Sequence, residues 1–543
     1  MRIRPIQLQT SNRFITDYRL QKESVMSYFS YKPFASLEKR VLDVKNRAFE
    51  RQALSDILHK MNAHWDAPEE TLRQIERLKD DDSVVVIGGQ QAGLLTGPLY
   101  TVNKIISMIT YAKEQEEKLN IPVIPVFWIA GEDHDYDEIN HIYTLKDHKL
   151  YKHTSTQQLY LKRSIAHVNI DQEKTLRWLE VAFRDLVETE HTKHLYDIFV
   201  DCLQQSNTYV DFFARIIFQL FPKEGIVLIN SADRALRQLE SKWFVEMIER
   251  QEQISNAVYD TVQSLQQNGY PIQLDVDRND VHLFYHDDNN ERILLKKEED
   301  YFKGKNDEVV LSKDELITVA KESPERLSNN VVTRPMMQEL LFPTLVFFGG
   351  DGEISYWVAL KSAFFMLNEQ LQLPPVMPRL SFTYVTKRIE KLLDSRNIEI
   401  EHVINDGIEE EKINWLRTQK HPPLDLLFKE VKQKVDDIHR PIREYAKEVS
   451  TDLGQEAEKN LQYIYKNLSY LENKITQKLT EKYKRSLSQF EEISYALKPN
   501  SLLQERIWNP LPFINQYGID LFQRLIDEFD FSVEERHYIV YLD

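Results

Sequence analysis

Val84-Val85-Val86-Ile87-Gly88-Gly89-Gln90-Gln91-Ala92-Gly93-Leu94-Leu95-Thr96-Gly97-Pro98 is the stretch that decides the fold. Its four leading β-branched residues, unbroken by polar ones, read as a strand buried on both faces, as in the centre of a parallel sheet. The glycines then end it abruptly. A helical stretch follows from Tyr100 to Lys118. A second apolar run, Ile121 to Ala130, stops at Gly131. Strand, helix, strand at this spacing is a βαβ unit with a right-handed crossover. Ile226-Val227-Leu228-Ile229 and Leu345-Val346-Phe347-Phe348 predict two more strands of the same kind. The segments between them must be insertions into one sheet or a second domain.

Outward from this core, residues 10–80 and 151–221 have helical periodicity, as do 241–268. Residues 270–303 read as strands. There Ile272 to Val276 alternates, and Val281 to Tyr285 leads through an Asp287-Asp288-Asn289-Asn290 turn to Ile293-Leu294-Leu295, a hairpin by its turn chemistry. From Leu424 the period becomes a heptad: Leu424, Phe428, Val431, Val435, Ile438, Ile442, Tyr445 and Val449, then Ala457 onward to Phe490. A turn near Gly454 makes these an antiparallel pair, the second helix reaching ~60 Å at the usual rise. Pro441 is expected to kink the first helix.

The fold class expected from these elements is α/β: a parallel-sheet core with a C-terminal antiparallel α-helical coiled-coil arm. The boundaries drawn are 1–150, 222–240 and 330–386 for the core, 151–221 and 241–329 for the insertions, 387–502 for the arm and 503–543 for the return to the core.

Composition bounds the function. At 543 residues about two to four structural units are expected. The net charge of -17, from 69 basic and 86 acidic residues, repels polyphosphate and disfavours a nucleic-acid binder. The N-terminus lacks the apolar core of a signal peptide, and no apolar run approaches the ~20 residues of a membrane helix. A cytoplasmic protein is expected. The single cysteine, Cys202, can form neither an internal disulfide nor a cysteine-rich zinc site. It reads as a small buried hydrophobe on an amphipathic helix rather than as a nucleophile.

Eight of the 14 glycines fall just beyond predicted strand ends: Gly88, Gly89, Gly93 and Gly97; Gly131; and Gly349, Gly350 and Gly352. Ligands of open α/β sheets bind beyond the carboxyl ends of the strands, so the clustering points to one site. The first loop is not a phosphate loop, because Leu94-Leu95 stands where Lys-Ser/Thr is required. Gln90 and Gln91 offer amides to a polar ligand, and Lys104 on the next helix could face an anion. The second loop, Gly131-Glu132-Asp133-His134-Asp135, is the densest titratable cluster in the chain. Its residue types suit acid/base work, amine binding or Mg²⁺. No zinc motif is matched, and no tightly bound metal is expected. In the third stretch, Gly349-Gly350-Asp351-Gly352 follows a strand, and Arg334 suits a carboxylate or phosphate, as does Arg379. After the arm, Gln504-Glu505-Arg506-Ile507-Trp508-Asn509 has two readings: a base-and-ribose pocket between arm and body, or a return linker packed on the body.

Together these strings, with Pro125 to Asp135, Gly349 to Trp357 and Arg506 to Asn509 the most specific, resemble the bacillithiol biosynthesis cysteine-adding enzyme family. The resemblance implies a ligase-type, carbon–nitrogen bond-forming step that joins L-cysteine to glucosaminyl malate as the last step to bacillithiol. It also implies a Rossmann-like core with two inserted subdomains and a homodimer formed through the coiled coil. On this reading Asp133, His134 and Asp135 orient the amine or take its proton. Substrates are held by Gly89, Gln90, Gln91, Gly93, Thr96, Trp128, Glu132, Arg334, Gly350, Asp351, Gly352, Tyr356 and Arg379. Gln504, Arg506, Trp508 and Asn509 are the nucleotide-binding candidates. The core is similar to that of cysteinyl ligases and aminoacyl-tRNA synthetases, yet neither the His-x-Gly-His nor the Lys-Met-Ser-Lys-Ser signature occurs. Activation of cysteine by ATP with Mg²⁺ is thus an expectation carried by fold resemblance. Two other readings stand beside the ligase. One is a nucleotide-sensing coiled-coil scaffold. The other is a tRNA binder, which the charge disfavours.

Overall fold

The computed structural model describes residues 1–10, 12–146, 149–419, 424–532, 534–535 and 537–543. It comprises two compact units, Met1–Tyr384 with Gln504–Asp543, and Val385–Leu503.

The first unit is built on five parallel strands: β1 (Val84–Gln90), β2 (Val123–Ile129), β3 (Val227–Asn230), β4 (Thr344–Gly349) and β5 (Val376–Pro378). Their order is β5-β4-β1-β2-β3, all in parallel register. This is the 3-2-1-4-5 part of the Rossmann strand order, with the direction of winding reversing between β1 and β4. The apolar runs form these strands because both faces are covered. Val84 to Ile87 and Val123 to Ile129, Pro125 included, are buried throughout. Tyr100–Leu119 is the crossover helix from β1 to β2 and ends at Asn120 in a left-handed conformation. β5 escapes sequence reading, since three residues ending in proline give no period to detect. The β3 edge is closed by a side chain: Asn62 Nδ2 donates to Leu228 O at 2.8 Å and Leu228 N donates to Asn62 Oδ1 at 3.0 Å.

Between β2 and β3 lie a short helix, Tyr136–Ile139, a hairpin, His141–Lys146 with Lys149–Thr154, and the longer helices Gln172–Arg184, Thr192–Gln204 and Tyr209–Leu220. Between β3 and β4 come helices Arg234–Glu249 and Gln251–Gln267 and a five-stranded antiparallel sheet. In that sheet Asp280–His286 pairs with Arg292–Glu298 across the expected turn. Ile272 to Val276, expected as a strand, is not one. Its alternate residues Ile272, Leu274 and Val276 rest on the core. Alternating burial therefore produces the two-residue period without a ladder partner. At the chain ends Arg2–Ile6 pairs antiparallel with His537–Leu542.

The second unit carries two long helices, Asp425–Val449 and Thr451–Leu497. Lys432 pairs with Glu472, His439 with Asn460 and Arg443 with Glu458, so the helices run antiparallel. Two details depart from the sequence reading. The turn is at Ser450, which ends one helix and whose side chain accepts from Leu453 N to cap the next. Gly454 lies inside the second helix, where a Cβ would come within 2.5 Å of Lys447; it permits close approach and does not make the turn. The second departure is the seam. His439 and Arg443 are buried between the helices, while Ile438, Ile442, Tyr445 and Val449 are 59–76% exposed. The polar layer of Asp436, His439, Arg443, Glu458 and Asn460 takes the face between the two helices, which turns this part of the heptad stripe outward. Among the described residues no helix is long and apolar enough to cross a membrane.

Candidate active site

The carboxyl ends of β1, β2 and β4 converge on one cavity of about 320 Å³. Gly89, Gln90 and Gln91 enter it from β1, Trp128 and Ala130 from β2, and Gly350, Gly352 and Glu353 from β4 and the helix Asp351–Trp357. Tyr100 and Lys104 come from the crossover helix, joined by Arg334, Arg379 and Arg506. The cavity therefore lies at the reversal of strand order, where an open α/β sheet leaves room for a ligand. Gly89 is required there by packing: a Cβ would stand 2.5 Å from Trp128 O.

Four cations meet two carboxylates at this cavity. Lys104 is 1% exposed, and its Nζ donates to Gly89 O and to Glu353 Oε2, each at 2.6 Å. Burial lowers its pKa, against the pull of Glu353. Glu353 also accepts from Gly350 N at 2.9 Å, which fixes the turn after β4. Arg379 is bound by Glu505 through two hydrogen bonds. Arg334 has neutral partners, donating to Tyr356 Oη at 2.6 Å and Gln338 Oε1 at 3.3 Å. Burial raises the Tyr356 pKa, so the phenol stays protonated. Arg506 makes no hydrogen bond or ion pair with the described residues. Two guanidinium groups thus face the cavity without a carboxylate, an arrangement that suits a ligand with two negative charges.

The 131–135 loop stands beside the cavity and does not line it. Asp133 Oδ2 accepts from Gln91 Nε2 at 2.7 Å, which ties the loop to a wall residue. Asp133 Oδ1 accepts from the backbone of His134. Glu132 is 3% exposed and pairs with Arg237, which also binds Glu240 at 2.6 Å. Burial pushes the Glu240 carboxyl up to about 7, against the pull of Arg237. Asp135 is exposed. Among the described residues no group of three or more His, Cys, Asp or Glu side chains is placed to hold a metal ion.

Of the remaining candidates, Gly93 and Thr96 shape the turn after β1, where Leu95, Thr96 and Gly97 all have positive φ. Asp351 begins its helix beside the cavity wall. Gln504 is turned away from the cavity: its amide bonds Tyr384 O and N, both at 2.8 Å. Trp508 O accepts from Leu99 N, and Asn509 Oδ1 accepts from Leu511 N. Of that string only Arg506 reaches the cavity. Sequence reading missed Glu505 and Arg292 as site-shaping residues. Glu505 lay within a quoted string, but nothing in its spacing links it to Arg379; Arg292 sits in an inserted sheet far along the chain.

This is a Rossmann-like α/β protein with a cationic strand-end site and a coiled-coil unit. Family comparison gives the same division. Residues 1–380 match the model of the N-terminal Rossmann-like domain of bacillithiol biosynthesis BshC, and residues 382–542 match that of its C-terminal coiled-coil domain. The chain is 40% identical over its full length and that of the relative to the protein named "Putative cysteine ligase BshC" from Oceanobacillus iheyensis. It is 41% and 38% identical, again over the full length of both, to proteins of that name from a Geobacillus species and Bacillus licheniformis. The chain belongs to the BshC family of bacillithiol biosynthesis.

Proposed function

We propose that this protein is a ligase that joins the carboxyl group of L-cysteine to the amine of glucosaminyl malate, forming the amide of bacillithiol as the last step of its synthesis. Support comes from family membership and from one structural observation: Arg334 and Arg506 face the strand-end cavity with no carboxylate partner. Malate carries two carboxylates, so the malate end of the acceptor matches that deficit of negative charge. Arg379 and Lys104, already paired, shape the cavity around it. The glucosaminyl amine then points toward Asp133 and Asp135, whose carboxylates suit an ammonium group.

A carboxylate does not acylate an amine in water unaided. ATP with Mg²⁺ is the proposed source of activation. The reaction is assigned to the cytoplasm, in keeping with the absence of a membrane-crossing helix among the described residues and with a lone reduced thiol. The exposed stripe of Ile438, Ile442, Tyr445 and Val449 is assigned to a second copy of the chain. Incubation of the protein with L-cysteine, glucosaminyl malate, Mg²⁺ and ATP, followed by mass spectrometry, tests the reading. ATP-dependent bacillithiol supports it. Nucleotide binding without product under these conditions would favour the scaffold instead.

A further inference from the structure

Arg292, on the strand Arg292–Glu298 of the inserted antiparallel sheet, reaches the 131–135 loop and is held there from three sides. Its Nε donates to Ser328 Oγ at 3.1 Å and its Nη2 to Asn329 O at 2.6 Å. The guanidinium lies 3.7 Å from the centre of the Phe284 ring. The remaining nitrogen, Nη1, stands 3.3 Å from His134 Nδ1 and 3.7 Å from Asp133 Oδ1. A guanidinium has five donors and no acceptor, so the contact with His134 forms only when Nδ1 presents its lone pair. A neutral imidazole with a bare Nδ1 carries its proton on Nε2. The other tautomer would set N–H against N–H.

We propose that Arg292 is a positioning residue that fixes His134 as the Nε2–H tautomer, so that His134 donates a hydrogen bond to a substrate oxygen and does not take the proton of the amine. The proposal rests on the ligase reading for the presence of a substrate beside the 131–135 loop and for the identity of that oxygen. The groups facing the ring are Arg292, Asp133, Asp135, Lys162 and Phe284. Burial first, and the Arg292 charge second, lower the His134 pKa, while Asp133 and Asp135 oppose them. The neutral ring is therefore the resting form at neutral pH. Asp133 Oδ1 stands 3.9 Å from Nδ1, beyond hydrogen-bond distance, whereas Arg292 Nη1 is at 3.3 Å.

Two measurements test this. Long-range ¹H–¹⁵N spectra of histidine-labelled protein, with His134 assigned by its loss in His134→Gln, report which nitrogen carries the proton. Wild type and Arg292→Lys, which keeps a pure donor, are expected to show a bare Nδ1; Arg292→Gln is expected to show mixed tautomers. A proton on Nδ1 in the wild type overturns the proposal whether or not the ligase reading holds. In turnover, the amide nitrogen of Gln occupies the place of Nε2 and that of Asn the place of Nδ1. His134→Asn is therefore expected to lose about tenfold more activity than His134→Gln, the value of one hydrogen bond. Equal loss in both would mean that His134 acts as a base, and the donor role would fall.

Discussion

Glu505 grips Arg379 by both terminal guanidinium nitrogens, Nη1 to Oε2 at 2.7 Å and Nη2 to Oε1 at 2.8 Å. Oε2 also accepts from Asn103 Nδ2 at 2.7 Å. Residues 126 positions apart are thus locked at the cavity wall, and the C-terminal return is tied to the end of β5.

Glu505 is 2% exposed, so Glu505→Gln would leave a buried guanidinium without its countercharge. A loss of about 3 kcal/mol in unfolding free energy is expected, read from urea melts. Burial raises the Glu505 pKa, but Arg379 and Asn103 outweigh it and hold the carboxyl at about 2, below its ordinary 4.5. A depressed carboxylate stabilises the fold fully above its unfolded pKa and loses that contribution as pH falls toward the folded one. The wild type is therefore expected to weaken between about pH 4.5 and 2 more steeply than Glu505→Gln. Parallel pH profiles for the two proteins would contradict this.

Cys202 is 5% exposed and its thiol is pushed up to about 12 by burial. Iodoacetamide at pH 8 is expected to leave the native protein unmodified and to label it fully in urea. Cys202→Ala should retain turnover, because the residue lies in the helix Thr192–Gln204, away from the cavity. Rapid labelling of folded protein with loss of activity would show a reactive thiol instead.

Ile438→Asp with Ile442→Asp places two charges on the outward stripe. Both positions are exposed in the single chain, so the helical hairpin should persist by circular dichroism. Sedimentation equilibrium is expected to show a dimer for the wild type and a monomer for the variant. An unchanged mass would remove the stripe from the interface.

The sequence disclosed the fold wherever a physical period was strong. The runs at Val84, Val123, Val227 and Leu345 became core strands because burial on both faces demands unbroken apolar residues. The glycine loops marked the cavity because they end the strands there; at Gly89 the neighbouring strand admits no Cβ, while Gly352 has open space around it. Short elements such as Val376–Pro378 left no period to read. The heptad at Ile438 and Ile442 was legible as a stripe, but its face was not: sequence shows that residues align, and only packing shows which helix they meet. The pairings of Glu505 with Arg379 and Arg292 with His134 depend on long chain separations, to which periodicity is blind. Gln504, Trp508 and Asn509 have ligand-like chemistry, yet their hydrogen bonds go to the protein's own backbone.

Titration calorimetry of glucosaminyl malate against wild type, Arg334→Gln and Arg506→Gln tests the central claim most directly. A hydrogen bond to a charged group contributes about 1.5–3 kcal/mol, so each variant is expected to weaken binding roughly ten- to a hundredfold. Glucosamine derivatives without the malate carboxylates should bind weakly to all three proteins. Unchanged affinity in both variants, with wild-type stability, would contradict the assignment of the strand-end cavity to the malate dianion.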